Sequence, residues 1–279
     1  MIFTFSKWDK FCEALAKQNI QSITAKELLS NALLGNAGNT RWINLKHDVE
    51  SNPDKALKLA QIEASYGHHA TYYVQSYLMT EQNRSLFLSI QKLGHEVTYH
   101  HDVIDGGKGD MNVAYNLFVE NLEKFKHFGF NVQTVCQHGN PMTDFDNRDF
   151  FRNVDIQAKF PQMADIMVNF KELLRQDYVY ISDVGMSFKI VNNPYNNSGF
   201  NKDPYTVLGN LDNVMDEINE QQGINYIISS HPHRYYKSFV VAWSKKAVFT
   251  IVRGIAYLLF KIPGLKKLLF RFNFISKKL

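Results

Sequence analysis

Five short segments of this 279-residue chain gather side chains able to hold a cation or move a proton. They are His47-Asp48-Val49-Glu50, His100-His101-Asp102, Gln137-His138-Gly139-Asn140, Ser182-Asp183 and His231-Pro232-His233-Arg234. Imidazoles and carboxylates are the groups that ligate divalent ions and act as acids or bases near neutral pH. Six of the ten histidines fall in these segments, more than scatter through helices and ordinary loops would place there. Any one strand-end histidine is usually just a hydrogen-bonded loop residue, and Asp48, Glu50 or Asp183 alone reads as a turn or first-turn acid. Their recurrence at successive strand ends is what points to a shared metal or acid/base site. His68, His69 and His127 follow helices and read as surface residues without a role.

The elements that must position these groups are visible as an alternation. Strand-like runs of β-branched and aromatic residues occupy 42–48, 70–75, 95–100, 131–136, 178–182 and 225–230. Helical spacing of apolar residues occupies 56–64, 86–93, 113–128 and 211–221, with Gly67, Gly94 and Gly129 as stops. Asn52-Pro53 reads as a cap followed by proline in the first helical turn. Segment 163–174 has no clear period. Strands alternating with helices imply an α/β fold with a parallel sheet, open or closed into a barrel, and ligands in such folds bind beyond the carboxyl ends of the strands. Gly106-Gly107-Lys108-Gly109 lacks the spacing of a phosphate loop and reads as a flexible loop at the site. No GxxxxGK[ST], GxGxxG, GxSxG or HExxH pattern is present.

Composition narrows the class further. Apolar residues at 45% and charged residues at 21% describe a folded globular chain and exclude a disordered one. Aromatics at 14% are numerous and read first as core. Two distant cysteines, Cys12 and Cys136, exclude a disulfide framework and a CxxC zinc module. The first residues show no secretory signal, so the expected location is cytoplasmic, extending to the inner membrane face. The net charge of +4 conceals an asymmetry: no acid follows Glu220, and residues 221–279 carry eleven Lys or Arg, leaving 20 basic against 27 acidic residues elsewhere. Residues 239–279 therefore read as a basic amphipathic helical tail, broken at Pro263-Gly264, set apart from a domain at 1–238. Its longest uncharged run is too short to span a bilayer, so it is expected to lie on an anionic membrane or to cover another surface. The acidic body argues against a nucleic-acid partner, and oligomeric state is left open.

The order of these motifs resembles the polysaccharide deacetylase (NodB-homology, carbohydrate esterase family four) superfamily, in the branch whose first motif reads "RHDVD". The resemblance rests on Lys46-His47-Asp48-Val49-Glu50, Gly67-x-x-Ala70-Thr71-Tyr72-Tyr73, Gly94-His95-Glu96-Val97-Thr98-Tyr99-His100, His138-Gly139-Asn140-Pro141, Tyr180-Ile181-Ser182-Asp183 and Ser230-His231-Pro232, across roughly 40–235. It implies an irregular (β/α) barrel and a metal-dependent hydrolase removing acetyl from an N-acetylated sugar in polysaccharide or glycolipid biosynthesis. On that pattern Asp48, His100 and His138 hold a divalent ion, zinc by the donor set. Glu50 is the base, and His231, oriented by Asp183, is the acid. His101, Asn140 and Arg234 contact the carbohydrate, polymeric or lipid-linked. Two departures stand out: Ile104 replaces the second histidine of the usual H-x-x-x-H pair, which leaves His138 or His101 to supply it, and Val49 interrupts the usual adjacent aspartates. They keep open an alternative, a catalytically degenerate barrel serving as a membrane-associated glycan-binding subunit.

Overall fold

The computed structural model describes residues 1–35, 41–140, 143–195 and 205–260, apart from the side chains of 253 and 255–260. Nine described strands run as β1 (Ile43–Val49), β2 (Ala70–Gln75), β3 (Glu96–His101), β4 (Thr134–Gln137), β5 (Ala164–Asp165), β6 (Val179–Ser182), β7 (Phe188–Asn192), β8 (Thr206–Gly209) and β9 (Tyr226–Ser230). They form one sheet in the order β5-β4-β3-β2-β1-β9-β6-β7-β8. Every pair from β5 to β6 is parallel, and β7 and β8 extend the edge antiparallel. The α/β class expected from the alternation is present. No pairing joins β5 to β8 among the described residues, so the irregular barrel takes an incomplete form.

The helices are α1 (Phe5–Lys17), α2 (Ala25–Leu33), α3 (Pro53–Ser65), α4 (Glu81–Lys92), α5 (Val103–Gly106), α6 (Met111–His127), α7 (Asp149–Arg152), α8 (Val154–Lys159), α9 (Phe170–Leu174), α10 (Leu211–Glu220) and α11 (Phe239–Phe260). Gly67 and Gly94 sit at φ +75° and +94°, the left-handed turns that let α3 and α4 stop and the chain re-enter the sheet. Asn52 precedes α3 at φ 50° and makes no side-chain cap, so the capping expected of it is absent. The Gly106–Gly109 segment is a packed turn, not an open loop: a Cβ at Gly107 would meet the Asp110 carbonyl oxygen at 2.8 Å.

Alternation along β1 divides its side chains between two environments. Leu45, Val49 and Tyr72 of β2 belong to the main core with Trp8, Leu59, Phe87 and Phe118, beneath α1, α3, α4 and α6. Tyr73, Cys136, Tyr180 and Ile227 face the opposite side and pack with residues of α2 and α9. Lys46 and Asp48 share that second face. The site therefore grows from the second face at the carboxyl end of the sheet.

Residues 261–279, with the expected helix break at Pro263-Gly264 and second basic helix, lie outside the described residues, as does Pro141. Among the described residues no helix is long and apolar enough to cross a membrane.

Candidate active site

Glu50 stands just beyond the end of β1 and is the point where three histidines meet. Its Oε1 lies 3.1 Å from His138 Nε2, 3.8 Å from His100 Nε2 and 3.8 Å from His231 Nε2. The Tyr77 hydroxyl donates to the Glu50 carbonyl oxygen and holds the backbone at that point. His100, the last residue but one of β3, lies on the second face, and its Nδ1 lies 3.0 Å from the Cys136 carbonyl oxygen. A carbonyl can only accept, so Nδ1 carries a proton and Nε2 is the nitrogen turned toward Glu50. Burial alone would raise the Glu50 carboxyl, but the His100 and His138 imidazoles beside it and the charge of His231 hold it well below the usual range.

Asp48 is set one pleat deeper and is engaged by Lys46. The Lys46 Nζ donates to both carboxylate oxygens, at 2.5 and 2.6 Å, and to Ser229 Oγ at 3.3 Å. It rests 5.3 Å from the centre of the Tyr73 ring, a cation–π contact in a dry setting. Burial acts against both charges, yet each holds the other ionised: Lys46 is pushed well above its ordinary value, and Asp48 below its own. Such a pair is strongly coupled, because removing either partner strands a buried charge.

Behind His231, Asp183 is fully buried and takes a fan of donors. His231 Nδ1 lies 2.7 Å from its Oδ1, the His231 backbone N–H donates to Oδ2 at 3.0 Å, and Arg234 donates to Oδ1 at 2.7 Å. Against burial, Arg234 and His231 hold the Asp183 carboxyl far below the ordinary range. The imidazole is thereby fixed with Nδ1 protonated and Nε2 facing Glu50. His233 packs against the His231 ring at a centroid separation of 5.6 Å, and burial pushes its pKa down to about 3.

Among the described residues, two trios could each offer three ligand atoms mutually within 4.8 Å: Glu50, His100 and His138; and Asp48, His100 and Cys136. Asp48 and His138 do not share a trio, so the Asp48/His100/His138 set expected from the sequence is not assembled as one group. The Glu50 trio fits a divalent ion better. Both Asp48 oxygens are taken by Lys46, and burial pushes the Cys136 thiol well above its ordinary value, keeping it protonated. A carboxylate with two imidazoles is a donor set suited to catalytic zinc.

The expected convergence of strand-end histidines is corrected for two of them. His47 turns to the helix side, where its Nε2 meets Glu63 Oε1 at 2.6 Å. His101, expected to touch carbohydrate, is fully buried on that same side, 2.9 Å from Asp165 Oδ2 and ringed by Phe118, Phe150 and Phe151. It is a core residue, because adjacent strand residues face opposite ways. His68 is likewise buried, against the Cys12 carbonyl oxygen, rather than at the surface. Asn140 donates to Asp105 Oδ2 at 3.0 Å, and Arg234 is committed to Asp183.

Sequence reasoning passed over Lys46 and Gln75. Lys46 shares the pleat face of Asp48, a parity readable from the spacing of two. Gln75 closes β2 in register with His100, on the face of Tyr73. It is almost fully buried, and neither its amide nitrogen nor its amide oxygen has a hydrogen-bond partner.

A scan of protein-family models finds no match, and no curated protein matches the chain. Among solved structures, the chain is similar to a CE4 esterase of Streptococcus mutans, at 11% identity over 84% of this chain and 89% of that one, TM-score 0.47. It is similar to a family 4 carbohydrate esterase from Streptomyces lividans solved with acetate, at 13% identity over 77% and 90%, TM-score 0.42. It is also similar to a peptidoglycan deacetylase from Bacillus subtilis, at 13% identity over 80% and 98%, TM-score 0.37. Identities this low and overlaps this partial leave the chemistry to the side chains themselves.

Proposed function

We propose that the protein is a metal-dependent deacetylase that hydrolyses the acetamide of an N-acetylated sugar. The observation that carries this reading is the trio of Glu50, His100 and His138, flanked by the ionised Asp48 and the oriented His231. Glu50, His100 and His138 would hold the ion. A bound zinc-type ion would polarise the acyl oxygen and acidify a water. The geometry favours exchanging the two carboxylate roles expected from the sequence, with Glu50 as ligand and Asp48, kept ionised by Lys46, as the base that takes the water's proton. The water oxygen adds to the acetyl carbon. His231, held by Asp183 and Arg234, delivers a proton to the nitrogen as the C–N bond breaks, releasing acetate and an amino sugar. Asn140, two residues beyond His138, would reach a sugar only by giving up its hydrogen bond to Asp105, whereas the unpaired amide of Gln75 is supplied next to His100.

The test is metal analysis of the purified chain together with acetate release from N-acetylhexosamine oligomers. About one divalent ion per chain with acetate release supports the reading. A second reading, a carbohydrate-binding barrel without turnover, is favoured by one feature: Lys46 occupies both oxygens of the would-be base. Carbohydrate binding with no acetate released by the metal-loaded protein would select it.

A further inference from the structure

We propose that α11 docks the protein on an anionic phospholipid bilayer, lying in the headgroup layer with its outward side inserted. Ala242, Lys246 and Phe249 are spaced four and three apart and face the body; Ala242 is buried, and Phe249 packs on the main core. The opposite side presents Val240, Val248 and Ile251 to solvent around Ser244, with Trp243 exposed at one flank and Val252 at the other; Val240 is 72% and Ile251 62% exposed. A run of large apolar side chains on one outward helix side, including a tryptophan, is unusual for a free surface and matches the boundary between headgroups and acyl chains.

The cations select the occupant. Lys245 sits at the flank of the outward side and Lys246 lies nearer the body, so both are set back from the apolar ridge. That is the depth at which lipid phosphates would stand if the ridge were inserted. The groove at the helix start is lined by Phe5, Lys55, Lys58, Tyr236 and Lys237, with Asp54 as its single acid. No Asp or Glu occurs anywhere after Glu220. A second copy of the chain on this face would bring like charges together without an acid from α11 to pair them, whereas an anionic surface complements them.

The experiment is co-sedimentation of the full chain with phosphatidylcholine vesicles containing, or lacking, about a third phosphatidylglycerol. Binding is expected to the anionic vesicles, weakening with salt, and to be at least tenfold weaker to the neutral ones. Lys245→Glu with Lys246→Glu should weaken it further, at about fivefold per lysine removed. Trp243→Ala with Ile251→Ser should abolish it while leaving metal content and acetate release of the soluble protein unchanged. Failure to bind anionic vesicles overturns the proposal. So does a solution dimer that the Trp243→Ala, Ile251→Ser variant dissolves, because the face would then belong to a second copy. Neither outcome touches the reading of the active site, whose residues lie apart from α11.

Discussion

Two histidine–carboxylate clusters stand back to back across β1, built from the same side-chain types for opposite ends. Behind the sheet, Glu63 receives His47 Nε2 at 2.6 Å, the Tyr72 hydroxyl at 2.6 Å and the Trp8 indole at 2.9 Å, with His95 Nδ1 at 3.9 Å. His47 is held from its other nitrogen by Ser230 Oγ at 3.0 Å. Glu63 and His47 are sealed from solvent. In front, Glu50 faces three imidazole nitrogens at 3.1 to 3.8 Å and keeps partial access to solvent. The rear carboxylate has its lone pairs spent on short hydrogen bonds, while the front one is approached more loosely by three imidazoles, of which His100 and His231 are anchored at Nδ1. Cluster composition therefore does not identify a site. Slack between donors, an open side and fixed tautomers do.

The contrast is broken most completely at Glu50. Glu50→Gln is expected to lose bound metal and drop acetate release to background, with a melting temperature close to the parent's; metal analysis and calorimetry on one sample read both. Glu63→Gln should do the reverse, keeping the metal. Its cost is about 3–5 kcal/mol of stability, because the histidine partner is left buried and unpaired, or roughly 10 °C in melting temperature. A Glu63→Gln protein that folds as stably as the parent but loses its metal would remove the distinction between the clusters.

Asp48 decides the division of labour at the front. If it is the base, Asp48→Asn retains metal and loses about 10²–10⁴ in rate. If instead metal is lost, Asp48 is a ligand, as the motif alone suggested, and Glu50 reverts to the base. Lys46→Met should follow Asp48→Asn in rate and shift the pH dependence upward, since an unpaired buried carboxylate protonates more readily.

Acid sensitivity sharpens the rear cluster. Burial raises the Glu63 carboxyl, but His47 outweighs it and brings the pKa down to about 2 from an ordinary 4.5. A depressed folded-state pKa means stability that is whole above pH 4.5 and is lost as pH falls toward 2, by about 3 kcal/mol at 1.36 kcal/mol per unit. Glu96 supplies the opposite sign. It is buried among neutral donors, Thr134, Thr71 and the Lys26 backbone, and burial pushes it up to about 6. Its contribution is whole below pH 4.5 and fades as pH rises through 6. Urea denaturation from pH 2 to 7 should show Glu63→Gln flattening the acid limb and Glu96→Gln flattening the slope between 4.5 and 6.

Much of this frame was legible because the six recognised strands are dense in β-branched and aromatic residues with glycine stops between them. β5, two residues long, and the β7–β8 edge carry too little pattern to read. α1 and α2 were missed although Thr24 and Glu27 form a capping box spelled out in the sequence. At the site, clustering at strand ends was a sound guide to location and a poor one to orientation. Counting by twos separates His47 from Lys46 and Asp48, and His101 from His100, and needs no structure. The same count puts Glu50, one residue past the strand end, on the face of Lys46 and Asp48, and the Tyr77 hydroxyl holds its backbone carbonyl there.

The smallest expected effect tests whether the front cluster is built for a ligand rather than for stability. The Gln75 amide is buried beside His100 with both polar atoms unpaired, an arrangement that costs about 1–3 kcal/mol in a folded protein. Leucine has nearly the same volume and no polar atoms. Gln75→Leu should therefore raise stability by about 1 kcal/mol, some 2–4 °C in melting temperature, and lower acetate release without removing the metal. Side chains kept at a stability cost are expected where a substrate or a bound water uses them. A Gln75→Leu protein less stable than its parent would mean that the amide is satisfied within the fold, placing Gln75 with the rear cluster's kind of residue instead of the front's.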